Sequence, residues 1–213
     1  NTLMQEVRRY ALRARDIAKK ENFDIIHAHD WLSFLAGVEA KKVSGKPLIL
    51  HMHATEFDRT GGQGVNQDVY NIERDAMNYA DGIISVSNFT KQKIVQHYGI
   101  PAEKIEVVHN GIDECDYVNI PDKLSELKRG GQKIVLFAGR ITIQKGPEYF
   151  IRAAKRVLEY NPNVLFLVAG SGDMERQMML EAASLGISEH VIFVGSLRGD
   201  DLNAVYRVAD LFV

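Results

Sequence analysis

Apolar positions along this chain repeat with two alternating periods. Residues 3–20 carry Leu3, Val7, Ala11, Ala14 and Ala18 with Arg, Glu and Lys between them, the spacing of an amphipathic helix. F-D-I-I-H-A-H (23–29) then reads as a strand, and a helix over 31–43 follows, ended by Ser44-Gly45. Pro47 introduces a second short apolar strand, P-L-I-L-H-M-H. The alternation continues with helix 67–80, strand 82–86, helix 88–98 closed by Gly99, and strand 105–108. Further on come strand 133–138, helix 147–160, strand 163–169, helix 173–185, strand 190–194 and helix 200–209. Asn161-Pro162, Gly170 and Gly186 punctuate them, as element ends should be. Near-continuous apolar strands between amphipathic helices predict parallel sheets covered on both faces, hence an α/β fold. A polar stretch with Pro121, Gly130 and Gly131 interrupts the pattern. The simplest architecture is two facing Rossmann-like domains, residues 1–115 and 132–213, joined by a linker over 116–131, each with an incomplete sheet.

Composition narrows the picture without changing it. Of 213 residues, 46% are hydrophobic and 25% charged, enough for one large or two modest domains. The net charge is −2 and no block of Lys and Arg stands out, so neither nucleic acid nor an anionic membrane surface is an expected partner. No apolar run approaches the roughly 18 residues of a transmembrane segment. The single cysteine, Cys115, excludes an internal disulfide and suits a reducing, cytoplasmic setting. The chain begins with Asn1 instead of Met and closes on Leu211-Phe212-Val213, which resembles the start of a buried strand, so it is expected to be cut at both ends.

Candidate chemistry gathers where strands end, which is where open parallel sheets bind ligands. His27-His29-Asp30, His51-His53, Ser85-Ser87, His109-Asn110-Gly111, Gly139-Arg140, Gly170-Ser171-Gly172 and Gly195 all fall there, and predict one cleft fed by both domains. In A-G-R-I-T-I-Q-K-G-P (138–147), Arg140 offers a guanidinium fork for phosphate oxygens and Lys145 a compact charge. Gly146 and Pro147 then open a helix whose free N–H groups suit an anion. The plainer reading is a solvated Arg and Lys on a connecting loop. Gly170 and Gly172 permit close approach of backbone to a ligand, though turn geometry alone explains them as well. The glycine-bearing loop from Ala54 to Asn66 is long for a connection and is a functional candidate. Two H-x-H pairs end consecutive strands, each on one face by alternation. They fit a metal site, a sugar-binding histidine with oriented neighbours, or satisfied core histidines, the last suiting His27 and His51. Trp31 reads as a packing residue.

Taken together, H-A-H-D-W (27–31), P-L-I-L-H-M-H-A-T-E (47–56), S-V-S-N-F-T (85–90), V-V-H-N-G-I-D (107–113), A-G-R-I-T-I-Q-K-G (138–146), V-A-G-S-G-D (168–173), V-I-F-V-G (191–195) and Y-R-V-A-D-L-F-V (206–213) resemble the family-4 retaining glycosyltransferases, nearest the glycogen/starch-synthase-like branch. The resemblance runs along nearly the whole chain. It implies a GT-B fold that binds a nucleotide-sugar donor (ADP-, UDP- or GDP-linked) and transfers its hexosyl unit to a glycan or other hydroxyl acceptor. It also implies that Arg140 and Lys145 hold the donor diphosphate, among Gly139, Gly146, Gly170 and Gly172, and stabilise the leaving group. On the same basis His53 reaches the donor sugar, Asn110-Gly111 lies at the cleft, and Asp30 lies near the acceptor. No cofactor and no metal ion are expected. The family's glycine-rich loop falls before Asn1 and its Glu-x7-Glu motif after Val213, so these 213 residues alone are expected to show little or no transferase activity. Rival readings are a nucleotide-sugar 2-epimerase on the same fold, a non-catalytic nucleotide-sugar or partner-binding module, and a metal-dependent hydrolase.

Overall fold

Helix α1 (Leu3–Ala18) starts at a reciprocal cap, in which Thr2 and Gln5 each accept the other's backbone N–H, and it buries Val7, Ala11 and Ala18. The structure is a computed structural model, which describes residues 2–111, 120–128 and 130–213. Cys115 and part of the 116–131 stretch lie outside the described residues. Two compact units divide the chain, Asn1–Ile112 and Asp113–Val213.

In the first unit, β1 (Ile26–His29) leads into α2 (Asp30–Ser44), whose end is fixed by Gly45 in the left-handed region at φ 70°. Then follow β2 (Leu48–Met52), the short α3 (Glu56–Arg59), α4 (Gln67–Tyr79), β3 (Gly82–Ser85), α5 (Asn88–Tyr98) and β4 (Ile105–Val107). The four strands are parallel, in the order β1-β2-β3-β4. Leu48, Leu50 and Met52 alternate into a core with Phe34, Met77, Ile83 and Ile94. Trp31 is buried in that same cluster, as a packing residue should be. The opposite face of β1 and β2 carries His27, His29 and His51, and the register sets His29 beside His51.

In the second unit, α6 (Asp122–Glu126) takes up part of the 116–131 stretch, and Leu124 and Leu127 pack on that unit's core. It is followed by β5 (Lys133–Ala138), α7 (Pro147–Tyr160), β6 (Val164–Ala169), α8 (Glu175–Ser184), β7 (Val191–Gly195), α9 (Gly199–Val208) and β8 (Leu211–Phe212). All strands are parallel, in the order β7-β6-β5-β8. Every residue of β6 is buried, because α7 and α8 cover one face of the sheet and α9 with α6 the other. The chain runs β5, β6, β7 in one direction across the sheet and returns to place β8 on the far side of β5. That reversal puts a topological switch point at the end of β5, where a doubly wound sheet opens a crevice.

Candidate functional site

A cavity of about 400 Å³ opens at this switch point, lined by Gly139, Arg140, Gly170, Ser171, Ser196 and Tyr206 among others. Its floor is two strand ends stitched backbone to backbone. Gly139 N–H donates to Ala169 C=O at 2.9 Å, Ile141 N–H to Ser171 C=O at 3.0 Å, and Met174 N–H to Ile141 C=O at 3.1 Å. Ile141 is fully buried and anchors the turn, so Arg140 just before it is held at the cavity edge with its side chain exposed. Neither the Arg140 nor the Lys145 side chain has a hydrogen-bonded or ionic partner among the described residues, and both residues are exposed. Gly170 and Gly172 also have a structural requirement of their own. A Cβ on Gly170 would lie 1.8 Å from the Gly139 carbonyl oxygen, and one on Gly172 would lie 2.2 Å from that of Ile141. What these glycines admit is the neighbouring strand end.

Lys145 closes a single 3-10 turn, and Gly146 (φ 59°) caps α7 with Pro147 at its first position, as the spacing predicts. Lys145 and Gly146 do not line the cavity. Glu148 already places a carboxylate in the first turn of α7. It offsets the helix dipole itself, so this helix start is a weaker anion site than Gly146-Pro147 alone implies.

In the first unit the four strand-end imidazoles form one cluster of adjacent rings. Ring centroids are 4.4 Å apart for His27–His29, 4.9 Å for His29–His51 and 4.2 Å for His51–His53. His29 Nδ1 and His53 Nε2 are in hydrogen-bond contact at 3.0 Å. Partial burial, followed by the neighbouring imidazoles, holds His29 and His51 below the ordinary histidine pKa. Asp30 sits at φ 57°, rare for a residue with a side chain, and its Oδ1 accepts the His53 N–H at 2.8 Å and the Ala54 N–H at 3.4 Å. Its carboxylate therefore braces the end of β2 and positions His53. The reading of His27 and His51 as satisfied core histidines fails: His27 is exposed, and both His51 ring nitrogens are buried without a partner among the described residues. Asn110 and Gly111 are exposed just beyond β4.

Comparison with known proteins adds a family to this geometry. The model of glycosyltransferase family 4 matches residues 3–114, and that of the glycosyl transferases group 1 matches residues 120–213. The chain belongs to glycosyltransferase family 4. It is 32% identical to the uncharacterized glycosyltransferase MJ1607 of Methanocaldococcus jannaschii over 91% of this chain and 52% of that protein. It is 26% identical to glycogen synthase of Mycobacterium tuberculosis over 89% of this chain and 46% of that enzyme. Anabaena Alr3699/HepE, solved with UDP and glucose, matches in fold with a TM-score of 0.77 and 22% identity, covering 95% of this chain and 55% of that one. The fold is GT-B, and the chain spans about half the length of the relatives it matches.

Several residues of this family-4 chain were not singled out from sequence. Ser196 pairs its hydroxyl at 2.8 Å with that of Ser171, which the strand-end pattern does include, in the cavity wall. Ser196 follows the strand-ending Gly195, so the strand-end rule extended by one residue finds it. Tyr206 reaches the cavity from α9 four residues after Leu202, a helix-face relation with no polar signal. The 54–66 loop is pinned from below. Buried Glu73 accepts from Arg59, from the Tyr98 hydroxyl and from the Glu56 N–H, while Glu56 accepts the Asn66 N–H at 3.1 Å. Burial pushes Glu73 upward against those partners, and it raises Tyr98 as well.

Proposed function

We propose that the full-length protein is a retaining glycosyltransferase that moves a hexosyl unit from a nucleoside-diphosphate sugar to a hydroxyl of a glycan or another acceptor. The observation that carries this reading is Arg140, unpaired among the described residues, at the rim of a cavity on the switch point of the second unit. Cleaving the bond between the anomeric carbon and the diphosphate concentrates negative charge on the departing oxygens. Arg140 is held in place by its backbone before that charge appears, and Lys145 adds a second cation from the same loop. In this reading the two cations serve in place of a metal ion. Support for the donor class comes from Alr3699/HepE, a protein of the same fold that binds UDP-glucose. His53, exposed and braced by Asp30, is assigned to the donor sugar.

Steady-state kinetics of the full-length protein test the assignment. Arg140→Ala and Lys145→Ala are each expected to lower kcat about 100- to 1,000-fold, the loss of one preorganised charge-stabilising donor, with KM for the donor nearly unchanged. An effect confined to KM would show uniform binding and overturn the leaving-group role. The anomeric configuration of the product, read by NMR, is expected to match that of the donor, and turnover is expected to survive EDTA.

A further inference from the structure

The four strand-end histidines contain a set that the transfer reaction does not use. Parallel pairing of β1 with β2 places His29 beside His51, and alternation along β1 places His27 on the same face. One ligand atom from each of these three rings lies within 4.8 Å of the other two. His27 and His29 are exposed, so an ion reaches them from solvent. His51 supplies the decisive observation, because both of its ring nitrogens are shut off from solvent with no partner among the described residues. A buried polar group left unsatisfied costs about 1–3 kcal/mol, and such a group in a native protein calls for an explanation. We propose that His27, His29 and His51 together bind one transition-metal ion of the zinc, copper or nickel class.

The donor set decides the class. Three imidazoles suit these borderline ions, whereas magnesium and calcium require oxygen ligands. Tetrahedral zinc with Zn–N distances near 2.0–2.1 Å separates its nitrogens by about 3.4 Å. Ligand atoms as far as 4.8 Å apart must therefore close by roughly 1.4 Å, which the exposed side chains of His27 and His29 accomplish by rotation. His29 Nδ1 meets His53 Nε2, which leaves the Nε2 of His29 for the ion. A fourth position stays open to water. This binding is independent of the proposed transfer reaction and stands whether or not that reaction is confirmed.

The test is a titration of chelator-stripped protein with Zn²⁺, and with Cu²⁺ as a spectroscopic reporter. One equivalent is expected to bind, with nitrogen hyperfine structure in the Cu²⁺ EPR spectrum and no displacement by excess Mg²⁺. His27→Ala and His51→Phe are each expected to weaken Zn²⁺ binding by more than about 100-fold, beyond what the loss of an outer-shell partner costs at a typical site. His97→Ala, which removes an exposed histidine elsewhere, is expected to leave it unchanged. Should His51→Phe fail to fold, His27→Ala decides, since that side chain is exposed and makes little of the core. The proposal falls if no stoichiometric binding occurs, if folded His27→Ala binds as tightly as the parent, if the EPR spectrum shows oxygen ligation alone, or if Mg²⁺ displaces the ion.

Discussion

Gly139 and Gly170 meet across two strand ends, yet they tolerate a side chain very differently. At Gly170 a methyl group runs into the Gly139 carbonyl, and φ there is 148°, while a methyl on Gly139 meets nothing within 4 Å. Forcing atoms into a packed position costs typically about 1–3 kcal/mol, whereas a substitution into open space stays within about 0.5 kcal/mol. Gly170→Ala is therefore expected to lower the urea midpoint of the second unit, and Gly139→Ala to leave it in place. Gly139 lines the cavity, so its alanine variant should instead weaken nucleotide binding measured by calorimetry. Equal effects of the two variants on stability would contradict the close approach. The G-S-G pattern thus announced crowding, but which backbone does the crowding depends on strand register, which no local pattern contains. The histidines carry the same lesson. Alternation placed them on one face, while the ring beside His51 comes from a residue 22 positions away in the paired strand, His29.

At the scale of elements, the two units share a device. Asp81 follows α4 and Asp210 follows α9, and each precedes a strand that pairs beside the one it caps. Asp81 accepts the Leu48 N–H at the start of β2 at 2.6 Å, and its own N–H donates to Leu48 C=O. Asp210 does the same at β5, accepting the Ile134 N–H at 2.9 Å and donating to Ile134 C=O. Lys41 attends the first, and Lys128 with Lys133 the second. The Ile134 N–H first, and the two lysines after it, hold Asp210 down to about 2. Its native pKa lies below that of the unfolded chain, near 3.9, so the unfolded state binds more protons between those values. The stability Asp210 gives the second unit is complete above about pH 4 and drains away as pH falls toward 2. Melting temperatures across that range should fall less steeply for Asp210→Asn than for the parent, and salt should erase the lysine share but spare the backbone bond. An unchanged slope would sink the assignment. Periodicity located these strands and helices mostly within two residues, because their apolar faces are long. It missed α3, four residues in a glycine-rich loop, since so short a helix has no period to read and survives on its Thr55–Asp58 cap. It also gave no sign of Glu73, a charged residue inside an amphipathic pattern whose partners Arg59 and Tyr98 come from other elements.

For the molecule as a whole, topology favours the second unit as the place for the proposed donor's diphosphate. Strand order runs β1-β2-β3-β4 without reversal in the first unit, among its described residues, and reverses at β5 in the second. The chemistry at the strand ends divides in the same way. Imidazoles and the committed Asp30 carboxylate occupy the first, while a free guanidinium above a backbone floor occupies the second. A nucleoside diphosphate without its sugar lacks the part assigned to His53, so its interactions are expected in the second unit alone. Present at 100 times its Kd, such a ligand stabilises the state it binds by about 2.7 kcal/mol. That stabilisation should surface as slowed amide exchange where the cavity is built, at Arg140, Ile141, Ser171 and Ser196. The amides of β1 to β4 should exchange as before. UDP, ADP and GDP taken in turn would then rank the nucleotides, since the diphosphate is common to all three and only the base and its contacts differ. Protection confined to the histidine-bearing strand ends would reverse the assignment, because an anion would then have chosen the imidazoles over Arg140 and the switch point.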